Sequence, residues 1–190
     1  MRCKRFFKCW SATDMVYRRR LIRLIQKIKY SDNNRLEWIK AANEGIIEMT
    51  EVKFYESIKD ELLKFAVIIS KTQNQYIFCK HKDRDTWEIP GGCREQGENI
   101  IDTAKRELYE ETGALEFDIE PICVYSVTAT DNSDGKESFG MLFFADIKCF
   151  ETELHSEIEK IAIMNELPTR WTYPDIQPHL IYEAKRRSYL

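Results

Sequence analysis

The chain divides by the rhythm of its apolar positions. Leu21, Leu24, Ile25 and Ile28 recur at helical spacing and predict a helix from about Met15 to Tyr30. Ser31-Asp32-Asn33-Asn34 reads as a break, and Arg35 to Ile47 follow as a second short helix. From Met49 the pattern resembles the start of an ordinary compact domain. Lys53 to Lys64 is mixed. Phe65-Ala66-Val67-Ile68-Ile69 is a β-branched run suited to a buried strand, Thr72 to Gln75 a turn, and Tyr76 to Lys80 the returning strand. Trp87-Glu88-Ile89-Pro90 predicts a short strand, and Gly91-Gly92 a place where backbone can turn or approach a ligand closely. Two longer strands are expected at about Phe117–Ala129 and Ser138–Ile147. Asp131-Asn132-Ser133-Asp134-Gly135 between them reads as a hairpin turn. A calcium loop there would place Thr130 and Met141 at its first and twelfth positions, and neither is a suitable ligand. Ile161 to Met164 predicts another strand. Asp175 to Arg187 predicts a terminal helix with Leu180, Ile181 and Ala184 inward.

One helix stands at the centre of this order. Asn99 sits at the expected N-cap and Gly113 at the residue after the C-cap. At about 100° per residue, with Ala104 as zero, Leu108 falls at about 40° and Ile101 at about 60°, which defines a buried stripe. Glu107, Glu110 and Glu111 fall at about 300°, 240° and 340°, one acidic arc beside that stripe. Like charges three and four residues apart lie within about 6 Å and disfavour the helix. A bound divalent cation reverses that penalty, and carboxylate, water and phosphate oxygens are what Mg²⁺ or Mn²⁺ prefers. Arg106 can orient a glutamate or hold a phosphate with its planar fork.

Composition adds an asymmetry. Residues 1–34 carry ten Lys/Arg against two Asp, a net of +8, although the whole chain is formally −3. The remainder therefore carries −11. This basic arm is a candidate for contact with RNA or another anionic surface. The six cysteines form no Cys-x-x-Cys pair and no zinc spacing with the three histidines, as expected of reduced thiols in a cytoplasmic protein. No segment reaches the roughly 18 apolar residues of a membrane span, and no secretory or twin-arginine signal is evident. No coiled-coil pattern demands assembly, so monomer and homodimer both stay open.

Gly92, Glu98, Arg106, Glu107, Leu108, Glu110, Glu111 and Gly113 stand in register with the Nudix box, with Ala114 where a larger aliphatic is usual. The chain thus resembles the Nudix hydrolases. The strand and helix order already predicts an α/β fold with a mixed sheet between helices. The resemblance implies an α/β/α sandwich over residues 49–190, with residues 1–48 as a basic helical extension.

It also implies a reaction: hydrolysis of a nucleoside diphosphate linked to another group, with Mg²⁺ or Mn²⁺ neutralising phosphate charge. By position, Glu107 and Glu111 are the expected metal ligands, then Glu110. The Gly91 carbonyl is a further ligand, and Glu98 helps hold the metal or its waters. Arg106 orients Glu107. The general base is Glu107 or a glutamate on a later loop, Glu157 first and Glu153 second.

Trp87 to Gly92 and Asn165-Glu166-Leu167-Pro168 are similar to the MutT-related branch, including its YtkD-like group, which acts on nucleoside triphosphates, some oxidised at guanine. Trp171 and Tyr173 are candidate stacking residues, and Trp87 is a further substrate-binding candidate. Gln177 stands where a base-reading asparagine is found in that branch. The expectation is a nucleoside triphosphate pyrophosphohydrolase. ADP-ribose, dinucleoside polyphosphates, an RNA 5′ end, and a non-catalytic nucleotide sensor are the alternatives.

Overall fold

The computed structural model describes residues 50–129, 136–151 and 157–190. The predicted helices of the basic arm, the hairpin turn at residues 131–135 and Glu153 lie outside them. Within Thr50–Leu190, which forms a compact unit, the strands are β1 (Thr50–Tyr55), β2 (Leu63–Thr72), β3 (Gln75–His81), β4 (Gly91–Cys93), β5 (Ala114–Ala129), β6 (Ser138–Phe150) and β7 (Ile158–Met164). The helices are α1 (Ile100–Thr112) and α2 (Gln177–Arg186). The strand order is β1-β5-β6-β2-β3-β7, with β4 also on β2. Among the described strands only β2 and β6 run parallel, so the sheet is mixed as expected.

Alternation along the central strands sends residues to two cores. Ala66 and Ile68 of β2 and Phe143, Ala145 and Ile147 of β6 join Ile100, Ala104 and Leu108 of α1. Ile69 of β2 and Leu142 of β6 join Leu180, Ile181 and Ala184 of α2. Burying both faces explains why β2 reads as a near-continuous apolar run. The three inward positions expected on α2 are all buried.

Several elements differ from the sequence reading. The mixed stretch after Met49 contains β1, whose Val52 and Phe54 pack on the α2-side core while Glu51 and Lys53 stay outside as an ion pair. It pairs only with β5 at the sheet edge, and charged side chains are normal there. Its core-facing residues are only partly buried, which blurs the alternation. Helix α2 starts at Gln177 rather than Asp175, because Tyr173 O takes both the Ile176 and Gln177 N–H groups in a preceding turn. Asn99 occupies the N-cap but its side chain donates to Asp102, and its carbonyl alone receives Asp102 N and Thr103 N. Gly113 ends α1 at φ +72°, left-handed as a C-terminal glycine should be.

The feature that positions the site is a split in the sheet. β2 and β3 pair only over Ser70–Thr72 and Gln75–Ile77, across a tight turn with Gln73 and Asn74 at positive φ. Beyond Ser70 they part, and residues 88–93 enter the gap. Glu88 exchanges two backbone hydrogen bonds with Cys79, Ile68 N donates to Pro90 O, and β4 then pairs with Phe65 to Val67. The strand expected at Trp87–Pro90 is therefore a pair of isolated bridges, since this segment bonds to β3, to β2 and to Trp171 in turn. The regular strand falls on the glycine pair instead. A Cβ on Gly91 would lie 2.4 Å from Ala66 O, so the close pairing with β2 requires glycine.

Candidate active site

Helix α1 lies across this split. Its buried stripe fixes the rotation of the helix, and the acidic arc then faces β4. Glu107 is seated against Gly92, where a Cβ would come within 2.3 Å of Glu107 Oε1. Gly92 therefore provides the space the Glu107 carboxylate fills. Glu111 is held from the neighbouring residue: Gly91 N–H donates to its Oε2 at 2.9 Å. The two glycines thus act on two different glutamates.

Arg106 joins the arrangement together. Its Nε donates to Glu98 Oε1 at 2.7 Å, its Nη1 to Glu107 Oε1 at 2.7 Å, and its Nη2 to Cys93 O at 3.0 Å and Glu98 Oε2 at 3.1 Å. Glu110 Oε2 stands 3.5 Å from Nη1. This fork ties the loop to the helix, the geometry for which a guanidinium is suited and an ammonium is not. Glu98 also accepts from Thr103 Oγ1 and Glu95 N. Cys93 meets the site through its carbonyl.

The electrostatics follow from these contacts. Arg106 and the donors at Glu95 and Thr103 bring the Glu98 carboxyl down to about 2. Burial pushes Glu107 above the usual carboxylate range, and Arg106 offsets part of that rise. Burial pushes Glu111 well above it. The nearby Glu88 adds to the shift, and the Gly91 N–H opposes it. Two enclosed acids that resist ionising side by side are the condition a divalent cation relieves.

Among the described residues no three acidic, imidazole or thiol groups already converge with metal spacing. The hard-oxygen donor set nevertheless suits Mg²⁺ or Mn²⁺, and the cradle at Gly92 keeps Glu107 beside Gly91 and Glu111.

The base-side candidates gather on the other side of Glu88. Tyr173 OH accepts from Arg84 Nη1 at 3.0 Å, and the same nitrogen donates to Glu88 Oε2 at 2.9 Å. Trp87 N donates to Arg170 O and Thr172 N to Trp87 O, which brings Trp87 beside Trp171. The Trp171 ring meets Phe78 edge-on at 5.4 Å, and Lys160 stands 5.8 Å over the Trp87 ring. Gln177 is buried, and its Oε1 accepts from Ile89 N at 3.2 Å. Glu157 lies immediately before β7, with its Oε2 2.9 Å from His81 Nε2.

Sequence reasoning passed over Arg84, Glu88, Thr103 and His81. Thr103 could have been found, since at about 260° on the same wheel it falls within the acidic arc, where its hydroxyl can donate to a carboxylate. Glu88 and Arg84 carry no periodic signal, because their contact arises in a loop.

Residues 61–179 match the NUDIX domain, and the chain belongs to that family. It is 36% identical over 66 residues to an RNA pyrophosphohydrolase of Psychrobacter sp. strain PRwf-1, covering 35% of each chain. It is 39% identical over 49 residues to a Bacillus subtilis strain 168 protein provisionally named 8-oxo-dGTP diphosphatase, covering 26% of this chain and 32% of that one. The matched stretches thus span about a third of these curated relatives. Among solved structures, a variant of the Bacillus subtilis pyrophosphohydrolase BsRppH superposes with a TM-score of 0.62 at 22% identity, over 75% of this chain and 93% of that one. A UDP-X diphosphatase superposes with 0.56 at 18% identity, over 70% and 66%. These likenesses establish the fold. No helix among the described residues is long and apolar enough to cross a membrane.

Two outcomes follow from the geometry. Gly92→Ala displaces the end of one flexible side chain, so its melting temperature should stay within a few degrees of the parent. Turnover should nevertheless fall at least tenfold because Glu107 moves. A fully active Gly92→Ala protein would show that the Glu107 seat does not matter. Glu98 has a folded pKa of about 2 against an ordinary value of 4.5. The stability it contributes is complete above about pH 4.5 and is lost as pH falls from there through about 2. Acid unfolding of the parent and of Glu98→Gln should converge across that window; a gap unchanged from pH 5 to 2 would refute the pairing.

Proposed function

We propose that this chain is a divalent-metal-dependent pyrophosphohydrolase that splits a nucleoside 5′-triphosphate into monophosphate and pyrophosphate. The observation that carries the reading is the Arg106 fork. It holds Glu98 and Glu107 at fixed positions, beside a Glu111 seated by the Gly91 N–H. A bound Mg²⁺ or Mn²⁺ supplies charge neutralisation at the phosphate oxygens. Glu107, Glu111 and Glu110 would hold it, with the Gly91 carbonyl and Glu98 beside them.

The chain's own residues do the rest. Arg106 orients Glu107. Glu157 accepts a proton from the attacking water, the role that suits a carboxylate whose side chain remains 53% exposed. Trp87 and Tyr173 border the nucleoside end, and Gln177 offers its amide NH₂ to a base edge.

An oxidised purine such as 8-oxo-dGTP is the finer form of this reading, supported by the Bacillus subtilis relative. The RNA 5′ end is a second reading, favoured by the Psychrobacter relative's name and by the basic residues 1–34. It gives the N-terminal extension of residues 1–48 a role in holding RNA next to a hydrolase domain at 49–190.

The test is a panel of GTP, 8-oxo-dGTP, ADP-ribose, a dinucleoside polyphosphate and 5′-triphosphorylated RNA, each with Mg²⁺ or Mn²⁺. Pyrophosphate should be released from a triphosphate substrate, and Glu111→Gln should lower kcat at least a hundredfold. Faster cleavage of RNA than of free nucleotide, lost on deleting residues 1–48, selects the second reading. No cleavage of any substrate with either metal overturns both.

A further inference from the structure

His81 is used by none of the roles above, yet its surroundings fix it closely. It ends β3, where odd-numbered residues face α1: Ile77 lies in the α1-side core, and the Cys79 thiol donates to Glu111 O at 3.4 Å. Alternation carries His81 to the same side. The β3–β7 ladder shifts register between Lys80 and His81, so that His81 faces Ile158, and such irregularities re-aim side chains. Asp83 N–H donates to His81 Nδ1 at 3.1 Å. That bond needs the Nδ1 lone pair, so in the neutral ring the proton sits on Nε2. Nε2 in turn meets Glu157 Oε2 at 2.9 Å, and Lys82 N donates to Glu157 O at 3.0 Å. Glu157 is thus anchored at both its backbone and its carboxylate.

The anchor also places Glu157 on the acidic side of the sheet. Two residues before His81 on β3, Cys79 exchanges backbone hydrogen bonds with Glu88 and its thiol donates to Glu111 O. A line of near neighbours therefore runs from Glu157 through His81 and Cys79 to the metal-ligand candidates on α1.

We propose that His81 is a positioning residue for this site: its Nε2–H holds the Glu157 carboxylate in the orientation from which it takes a proton from the attacking water. The inference rests on the reading of Glu157 as the base. In the step, the water oxygen forms a bond to phosphorus and the phosphoric anhydride P–O bond breaks. The leaving pyrophosphate keeps that electron pair, and one water proton passes to Glu157. His81 gives up no proton and touches no reacting atom.

The test is a double-mutant cycle on the full chain, with the best triphosphate of the panel and saturating Mg²⁺. His81→Leu should lower kcat about tenfold with KM within twofold. His81→Gln, which can place an N–H near the same point, should restore most of the loss. Glu157→Gln should lower kcat a hundredfold or more, and His81→Leu should then cost nothing further. A fully active His81→Leu beside an impaired Glu157→Gln overturns the positioning role and leaves the base reading intact. The same holds if His81→Leu costs as much with Glu157→Gln as without it. A fully active Glu157→Gln overturns both. Imidazole ¹⁵N spectra, assigned by their loss in His81→Gln, give a readout independent of turnover. The parent should show the Nε2–H tautomer, and an Nδ1–H tautomer would contradict the arrangement.

Discussion

Everything about this site depends on like charges kept close together. Glu107, Glu110 and Glu111 stand on one arc of α1, and their mutual repulsion works against the helix that carries them. Arg106 offsets part of it from within the same helix, through one planar group shared by Glu98, Glu107 and the Cys93 carbonyl. The rest is held by packing. Ala104 and Leu108 are wholly buried and fix the rotation of α1, so the carboxylates cannot turn away to water without unpacking the core. The burial that fixes them also raises Glu107 and Glu111 out of the ordinary carboxylate range. The fold therefore stores a local electrostatic deficit that a divalent cation would fill.

The sheet supplies the other half of the geometry. β2 and β3 part after only a few paired residues, and the segment from Glu88 to Cys93 fills the opening. That insertion brings Gly91 and Gly92 against α1 and carries Glu88 to the boundary between the acidic arc and the aromatic side. Arg84 and Tyr173 close that boundary from the far side. The acidic arc and the aromatic residues thus lie on the two sides of one short segment.

Much of this is visible in the sequence, for identifiable reasons. The limits of α1 are marked twice, by apolar spacing and by Asn99 and Gly113. β2 announces itself through a β-branched run buried on both faces, and α2 through Leu180, Ile181 and Ala184. What the sequence hides depends on tertiary partners. β1 is an edge strand whose charged positions mask its alternation. Residues 87–90 change partner every residue or two, so a strand expected at Trp87–Pro90 appears at Gly91–Cys93. In the site, the Nudix pattern points to Arg106 and the glutamates. It says nothing of why Gly92 must be glycine, which is the space Glu107 occupies. Arg84, Glu88 and His81 act through contacts between segments far apart in the chain or within irregular loops, where no spacing rule reports them.

The central claim is that a planar fork at Arg106 pre-organises carboxylates to receive a divalent cation. Mn²⁺ binding followed by electron paramagnetic resonance, comparing the parent with Arg106→Lys, tests it most directly. Lysine keeps the charge and loses the fork. The account predicts Mn²⁺ affinity lowered about 10- to 100-fold, the usual cost of losing a group that orients metal ligands, at an unchanged melting temperature. Equal Mn²⁺ affinity in the two proteins would contradict it.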